Sequence, residues 1–236
     1  KYIYTDLTEL FLELKMKDIY LKDFMRRRLA RYSKFNISGL FKTRKGKNGE
    51  NWLFFESYLE NAFFNQYEFD PSIVVMESQP LSISYYFRGK KRFYTPDIGL
   101  VQCSDNGLKE KFKEVKHSSA MEDNTTRNKY KRIRRVFKKL GYEFEVVTEK
   151  NLKSEQALRN LEIIYKSLGN ITSSSPLIDD ALSLIPSQTT LGEATTALKT
   201  LQMDPCVLYY LLYKQLYQFD LNQPLHSETH LTRNIH

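Results

Sequence analysis

Tyr94-Thr95-Pro96-Asp97-Ile98-Gly99-Leu100-Val101 and, beyond Asp105-Asn106-Gly107, Phe112-Lys113-Glu114-Val115-Lys116 are the stretches whose reading decides the fold. Both alternate apolar or β-branched residues with polar ones, which predicts short strands, and Asp-Asn-Gly between them supplies turn chemistry, which predicts an antiparallel hairpin. A turn centred on Asp105-Asn106 puts Asp97 opposite Glu114. A turn centred on Asn106-Gly107 puts it opposite Lys116, with Glu114 one diagonal away. Either register leaves all three on one face, because the period of two points Glu114 and Lys116 one way and Val115 the other, towards a core.

Two carboxylates a few ångströms apart repel each other in a partly dry site, and a hard divalent cation such as magnesium removes that repulsion while leaving positions for phosphate and water. A lysine beside them can hold a scissile phosphate, orient a water, or stabilise charge on phosphorus oxygens. The pattern therefore points to phosphodiester hydrolysis. The letters alone are a weak signal, since Glu13-Leu14-Lys15 repeats them in a stretch that reads as helix; what separates Glu114-Val115-Lys116 is its spacing of 17 residues from Asp97.

Outward from this hairpin, residues 1–32 read as helical, opening on the capping box Asp6-x-x-Glu9, and a second helix after Asp18 carries Arg26, Arg27 and Arg28. Phe41 to Gly49 reads as a flexible basic loop. Helical spacing resumes at Phe54-Phe55 and continues through Tyr58, Leu59, Ala62, Phe63 and Phe64, which makes Glu60 the carboxylate nearest the apolar stripe. Strands follow at Ile73 to Met76 and Gln79 to Phe87. Downstream, Arg127 to Leu140 forms a basic amphipathic helix with Ile133, Val136 and Phe137 on one side and Lys131, Arg132 and Arg135 elsewhere, before a strand from Glu143 to Thr148. Helix, strands with a hairpin, helix, strand is an α/β core, and one domain is expected to close near residue 150.

The formal charge is +8, with 30 Lys and Arg against 20 Asp and Glu in residues 1–150, and 6 against 8 in residues 151–236. The basic part suits a polyanion such as nucleic acid, whose phosphates release counterions on neutralisation; the remainder suits a protein partner. Its longest apolar run, Cys206 to Tyr213, is too short to span a bilayer, and Lys1 to Asp6 lacks a secretory h-region, so no membrane association and a cytoplasmic setting are expected. Two cysteines, Cys103 and Cys206, with no CxxC pair, argue against a disulfide framework or structural zinc. In 151–236, helices are expected at Gln156 to Leu168, Leu177 to Ile185, Leu191 to Leu198 (capped by Thr190) and Val207 to Tyr217, then a hairpin within Phe219 to Asn234. That order suggests a mostly helical, winged-helix-like module, or else an ordinary helical docking domain.

Glu56-Ser57-Tyr58-Leu59-Glu60, Phe69-Asp70-Pro71, Gln79-Pro80, Tyr94-Thr95-Pro96-Asp97, Glu114-Val115-Lys116 and Val147-Thr148-Glu149, taken in order, resemble TnsA, the endonuclease subunit of heteromeric cut-and-paste transposases. The likeness spans residues 50–150. It implies a restriction-endonuclease-like core, a mixed sheet flanked by helices, that cuts the non-transferred strand at the 5′ side of each transposon end. A recombinase subunit would handle the 3′ side, and an ATPase regulator would be a further partner, engaged through the winged-helix-like residues 151–236. Carried over by position, the resemblance assigns Asp97 and Glu114 as metal ligands with the Val115 carbonyl, Glu60 as the helix-borne acid reaching a second ion or a bound water, Lys116 as the catalytic lysine, and Gln79 as supporting. Some members have glutamine where Glu114 stands. The implied cofactor is magnesium, with manganese able to substitute; the implied setting is the bacterial cytoplasm, on the nucleoid when DNA is bound. The expected DNA contacts are Arg26, Arg27, Arg28, Lys131, Arg132 and Arg135. A stand-alone restriction or repair nuclease of the same fold, and a DNA-bound adaptor with a vestigial site, are the alternatives.

Overall fold

A computed structural model describes residues 37–234 apart from 88–89, 106, 170 and 172–176. The helices expected in residues 1–32, and with them Arg26, Arg27 and Arg28, lie outside the described residues. The described chain forms two compact units: one comprises residues up to Phe64 together with Ser72–Asn151, the other Asn65–Pro71 together with the residues from Leu152 onward.

The first unit opens on a ribbon, β1 (Gly39–Lys42) antiparallel to β2 (Trp52–Phe55). Both differ from the sequence expectation of a loop and a helix start. Phe54-Phe55 continues an apolar run without deciding its period, and the cross-strand ladder from Gly39↔Phe55 to Lys42↔Trp52 settles it as a strand with Leu53 buried. The basic segment between them is tied down too, by a Gly46 bridge to Met76 and a Lys47–Glu77 ion pair at 3.1 Å. Helix α1 (Tyr58–Glu68) begins three residues after β2, where Ser57 Oγ accepts the Glu60 N–H at 3.2 Å and Glu60 Oε2 accepts the Glu56 N–H at 2.8 Å.

Beyond it comes β3 (Ile73–Ser78), and then a second ribbon of β4 (Ile83–Phe87) and β5 (Lys90–Tyr94), antiparallel from Ile83↔Tyr94 to Phe87↔Lys90. The strand expected from Gln79 therefore starts at Ile83. Gln79 takes the left-handed φ of +48°, and Pro80 lies so close to Gly99 that a Cβ there would come within 2.7 Å of its Cγ. Both features break an extended path at residues 79–80.

Four strands build the central sheet in the order β3-β6-β7-β8, with β6 (Ile98–Ser104), β7 (Gly107–Val115) and β8 (Glu143–Val147). The first two pairings are antiparallel and β7–β8 is parallel, so the sheet is mixed. A parallel neighbour needs a crossover, and α2 (Asn124–Lys139) supplies it, capped by Asp123, whose carboxylate accepts the Thr126 N–H. Its Tyr130, Ile133 and Phe137 pack with Phe112 and Phe144 of the sheet and with Ile83 and Tyr94 of the ribbon. The Phe137 ring centroid stands 5.1 Å from that of Phe112 and 5.0 Å from that of Phe144, a tight aromatic layer over the sheet. This is an α/β core with a mixed sheet and helical cover.

The second unit contains α3 (Glu155–Lys166), α4 (Leu177–Leu184), β9 (Gln188–Thr190), α5 (Leu191–Thr200), α6 (Cys206–Tyr213), β10 (Tyr217–Gln218) and β11 (His230–Arg233), with a small sheet ordered β10-β11-β9. Two local expectations change. Gln188-Thr189-Thr190 carries no apolar alternation, and only its ladder with His230–Thr232 makes it a strand. The last helix stops at Tyr213 rather than running to Tyr217, because Gln215 turns to φ +56° and sends Tyr217 into β10, where its hydroxyl donates to the Ile185 carbonyl at 2.8 Å. Leu161, Ile164, Leu168, Ala181, Leu198 and Leu211 fill the core of this unit. Thr190 caps α5 as expected, in a full capping box with Glu193.

Candidate active site

Ser104 pairs with Gly107, and the ladder runs on from there to Ile98↔Lys113. Continued by one residue, this register sets Asp97 opposite Glu114; the alternative, Asp97 opposite Lys116, is not realised. Asp97 lies immediately before β6, after Pro96, and turns one carboxylate oxygen, Oδ2, onto the backbone N–H of Val115 at 2.8 Å. Lys116 extends its amine back over the same spot. It lies 2.8 Å from Glu114 Oε1, 2.8 Å from the Val115 carbonyl to which it donates, and 3.5 Å from Asp97 Oδ2. Two acids, one carbonyl and one ammonium thus converge at the end of the hairpin.

The alternation along β7 places Val115 in the core, as expected, but Glu114 is equally buried. It shares a face with Phe112, under the aromatic layer of α2, and its charge is met there by two phenols: the Tyr94 hydroxyl donates to Oε2 and the Tyr130 hydroxyl to Oε1 at 2.8 Å. A buried carboxylate without such donors would cost several kcal/mol. Neither tyrosine stood among the site residues read from the sequence. The available signal was Tyr130 itself, which stands three and seven residues before Ile133 and Phe137 on the apolar stripe; a buried phenol there requires an acceptor.

Electrostatics follow from this crowding. Burial and then the Glu114 charge push Asp97 up to about 7. Burial works against the charge on Lys116, but Asp97 and Glu114 together outweigh it and raise its pKa. Glu60 sits within their field and is itself raised, by burial first, with the Glu56 N–H and Ser57 hydroxyl opposing. Its carboxylate is engaged locally, Oε1 accepting from Ser57 Oγ at 2.9 Å. Gln79 stands alongside, its backbone N–H donating to the Asp97 carbonyl at 2.9 Å. Lys131, Arg132 and Arg135 are all exposed on the outer side of α2, away from its buried Tyr130, Ile133 and Phe137.

Asp97, Glu114 and the Val115 carbonyl are hard oxygen donors of the kind magnesium takes, and the burial and then the Glu114 repulsion that raise Asp97 are what a divalent ion would offset. Among the described residues no three acid, histidine or cysteine side chains gather closely enough to hold an ion by themselves.

A mixed sheet whose central hairpin brings an aspartate against a Glu-x-Lys triplet, with a helix packed over it, is the arrangement expected of a restriction-endonuclease-like core. Residues 70–149 match the family model of the TnsA-like endonuclease N-terminal domain, so this segment is similar to the TnsA-like endonucleases. The match contains Gln79, Asp97, Glu114, Val115, Lys116 and the basic positions of α2; Glu60 and the residues from Leu152 onward lie outside it. No curated protein matches the chain. No helix among the described residues is long and apolar enough to cross a membrane.

Proposed function

We propose that the chain is the strand-cutting subunit of a heteromeric transposase, hydrolysing the non-transferred strand at the 5′ side of transposon ends and leaving a 3′-hydroxyl and a 5′-phosphate. The observation that carries this reading is the convergence of Asp97, Glu114 and Lys116 at one end of a hairpin inside a TnsA-like segment. Asp97, Glu114 and the Val115 carbonyl would hold magnesium, or manganese in its place, with Glu60 reaching a second ion or a bound water. A bound divalent ion supplies Lewis-acid activation of the phosphate and a lowered water pKa.

The protein groups do the rest. The Val115 N–H fixes the orientation of Asp97, and the two tyrosine hydroxyls fix that of Glu114, so neither carboxylate must be ordered when substrate arrives. Lys116 holds its proton firmly because its partners are acids, which suits it to bind the phosphate or the leaving oxygen rather than to act as a base. Lys131, Arg132 and Arg135 offer the duplex backbone a basic surface.

The order α4-β9-α5-α6-β10-β11 with its three-stranded sheet supports a winged-helix reading of the second unit. Its α6 has the sequence CVLYYLLY and is mostly buried, with no cation to offer a groove, which favours a protein partner over DNA. We assign that partner as the ATPase regulator, with the recombinase subunit completing the assembly on bacterial, nucleoid-associated DNA. The test is a strand-resolved cleavage assay on a transposon-end duplex with co-purified partners. A cut on the 5′ side that Asp97→Ala abolishes is the expected result; full metal-dependent nicking by Asp97→Ala would overturn it.

A further inference from the structure

The β4–β5 ribbon buries the Ile83 and Tyr94 end of one face and leaves its other face in solvent. Ile83 and Tyr94, an opposed pair, are buried in the aromatic layer. The alternate residues Ser84, Tyr86, Lys91 and Phe93 share the other face, through the pairs Ser84↔Phe93 and Tyr86↔Lys91. Tyr86 is 74% and Phe93 66% exposed, among the most exposed large hydrophobics of the described residues. Lys91 lies over the Phe93 ring, 5.3 Å from its centroid. Lys90 and Arg92 are also exposed, and neither strand contains an acid.

We infer that this face is a stacking platform for unpaired bases of the DNA strand beside the scissile phosphate. The inference rests on the nuclease reading for its substrate and adds to it a site that base pairing normally hides. Three observations bear on the occupant. β5 carries Lys90, Lys91 and Arg92 and neither strand an acid, so the ribbon suits a phosphate backbone. Two flat rings turned to water cost apolar exposure unless something covers them, and a base offers a π-face only when it is out of the stack. Finally, Phe93 is four residues from Asp97, a separation of at most about 14 Å even if fully extended, or about four nucleotides along a strand. The platform is therefore held next to the cut site by the same segment that supplies the first acid. Lys and Arg alone would serve a closed duplex; the rings add a means of gripping a strand opened at the cleavage position.

Full-length protein without divalent ions, so that nothing is cut, would be titrated against a fluorescent duplex carrying a short mismatched bubble with 2-aminopurine in it, and against its fully paired counterpart. Wild type should prefer the bubble and quench the 2-aminopurine. Phe93→Ala and Tyr86→Ala should each weaken bubble binding about 5- to 150-fold, the loss of one base–aromatic stack, with much less effect on the paired duplex, while Phe93→Trp retains binding. Lys91→Gln should weaken both duplexes alike. Equal losses on both DNAs from the aromatic variants, no loss on either, or no quenching by wild type would overturn the platform. Unchanged thermal unfolding of these exposed-site variants excludes a folding defect. Because hydrolysis plays no part, bubble preference in a protein that never cuts would sink only the nuclease reading, and cutting without bubble preference only this one.

Discussion

The Tyr130 hydroxyl, carried on the crossover helix, donates to Glu114 Oε1 on the central strand at 2.8 Å. Tyr130→Phe removes that donor and leaves the ring packing intact. The expected effect is a stability loss of about 1–3 kcal/mol from weakened solvation of a buried carboxylate, together with about 10- to 100-fold weaker manganese binding, because the ligand loses its orienting partner. Denaturant unfolding and calorimetric titration of manganese measure the two separately. Unchanged metal affinity would show that Tyr130 serves packing alone.

Asp97, pushed up to about 7 in the ion-free protein, gives a pH dependence of definite sign. An unfolded aspartate titrates near 3.9, so between roughly pH 4 and 7 the folded state holds the proton that the unfolded state has lost. Its contribution to stability is greatest below pH 4 and declines as pH rises towards 7. A divalent ion needs the ionised form, so binding below pH 7 releases a proton, and affinity rises by about tenfold per pH unit until it levels off. Calorimetry in buffers of different ionisation enthalpy counts that proton; an ion uptake with no proton release at pH 6 would contradict the assignment.

Lys116 occupies the oxygens that a cation would use, those of Glu114, Val115 and Asp97. Lys116→Met removes this internal competitor and also the ammonium that faces phosphate. Manganese binding should tighten while strand cleavage falls by about 10²- to 10³-fold, the loss typical of one electrostatic stabiliser. Tighter binding with slower cutting is a combination that general unfolding cannot produce.

In the second unit, Asn160 is completely buried and donates to the carbonyls of Leu221 and Gln223 at 2.8 and 2.7 Å, while its Oδ1 accepts the Leu225 N–H at 3.2 Å. Asn160→Ala orphans these backbone groups, and a destabilisation of about 2–4 kcal/mol is expected from two or more unmet partners. If this unit is the regulator-binding part, deletion of residues 152–236 should abolish regulator capture, whereas Asn160→Ala should lower it only near its unfolding temperature.

The hairpin and its site were unevenly legible in the sequence. Period-two alternation identified the strands around Asp97 and Glu114, but Asp105-Asn106-Gly107 is compatible with two registers, and only the Ser104↔Gly107 pairing chooses between them. The burial of Glu114 was hidden for a different reason. Alternation says which residues share a face and nothing about what covers it, and the cover here arrives from Tyr130, 16 residues further on. Phe54-Phe55 reads as helix because an apolar pair has no period of its own, and only the ladder with Gly39–Lys42 decides it. Capping is legible at Thr190, a threonine just ahead of an apolar helical run, whereas the reciprocal bonds from Glu193, and those between Ser57, Glu60 and Glu56, emerge only from the folded backbone.

The bond from the Val115 amide to Asp97 comes from main chain, and this shapes what mutagenesis can see. Every ordinary replacement at position 115 keeps the donor, so a scan of side chains would score that residue only by the volume it fills and would miss its hold on the neighbouring acid. Proline, or an ester in place of the amide, are the chemical edits that reach it.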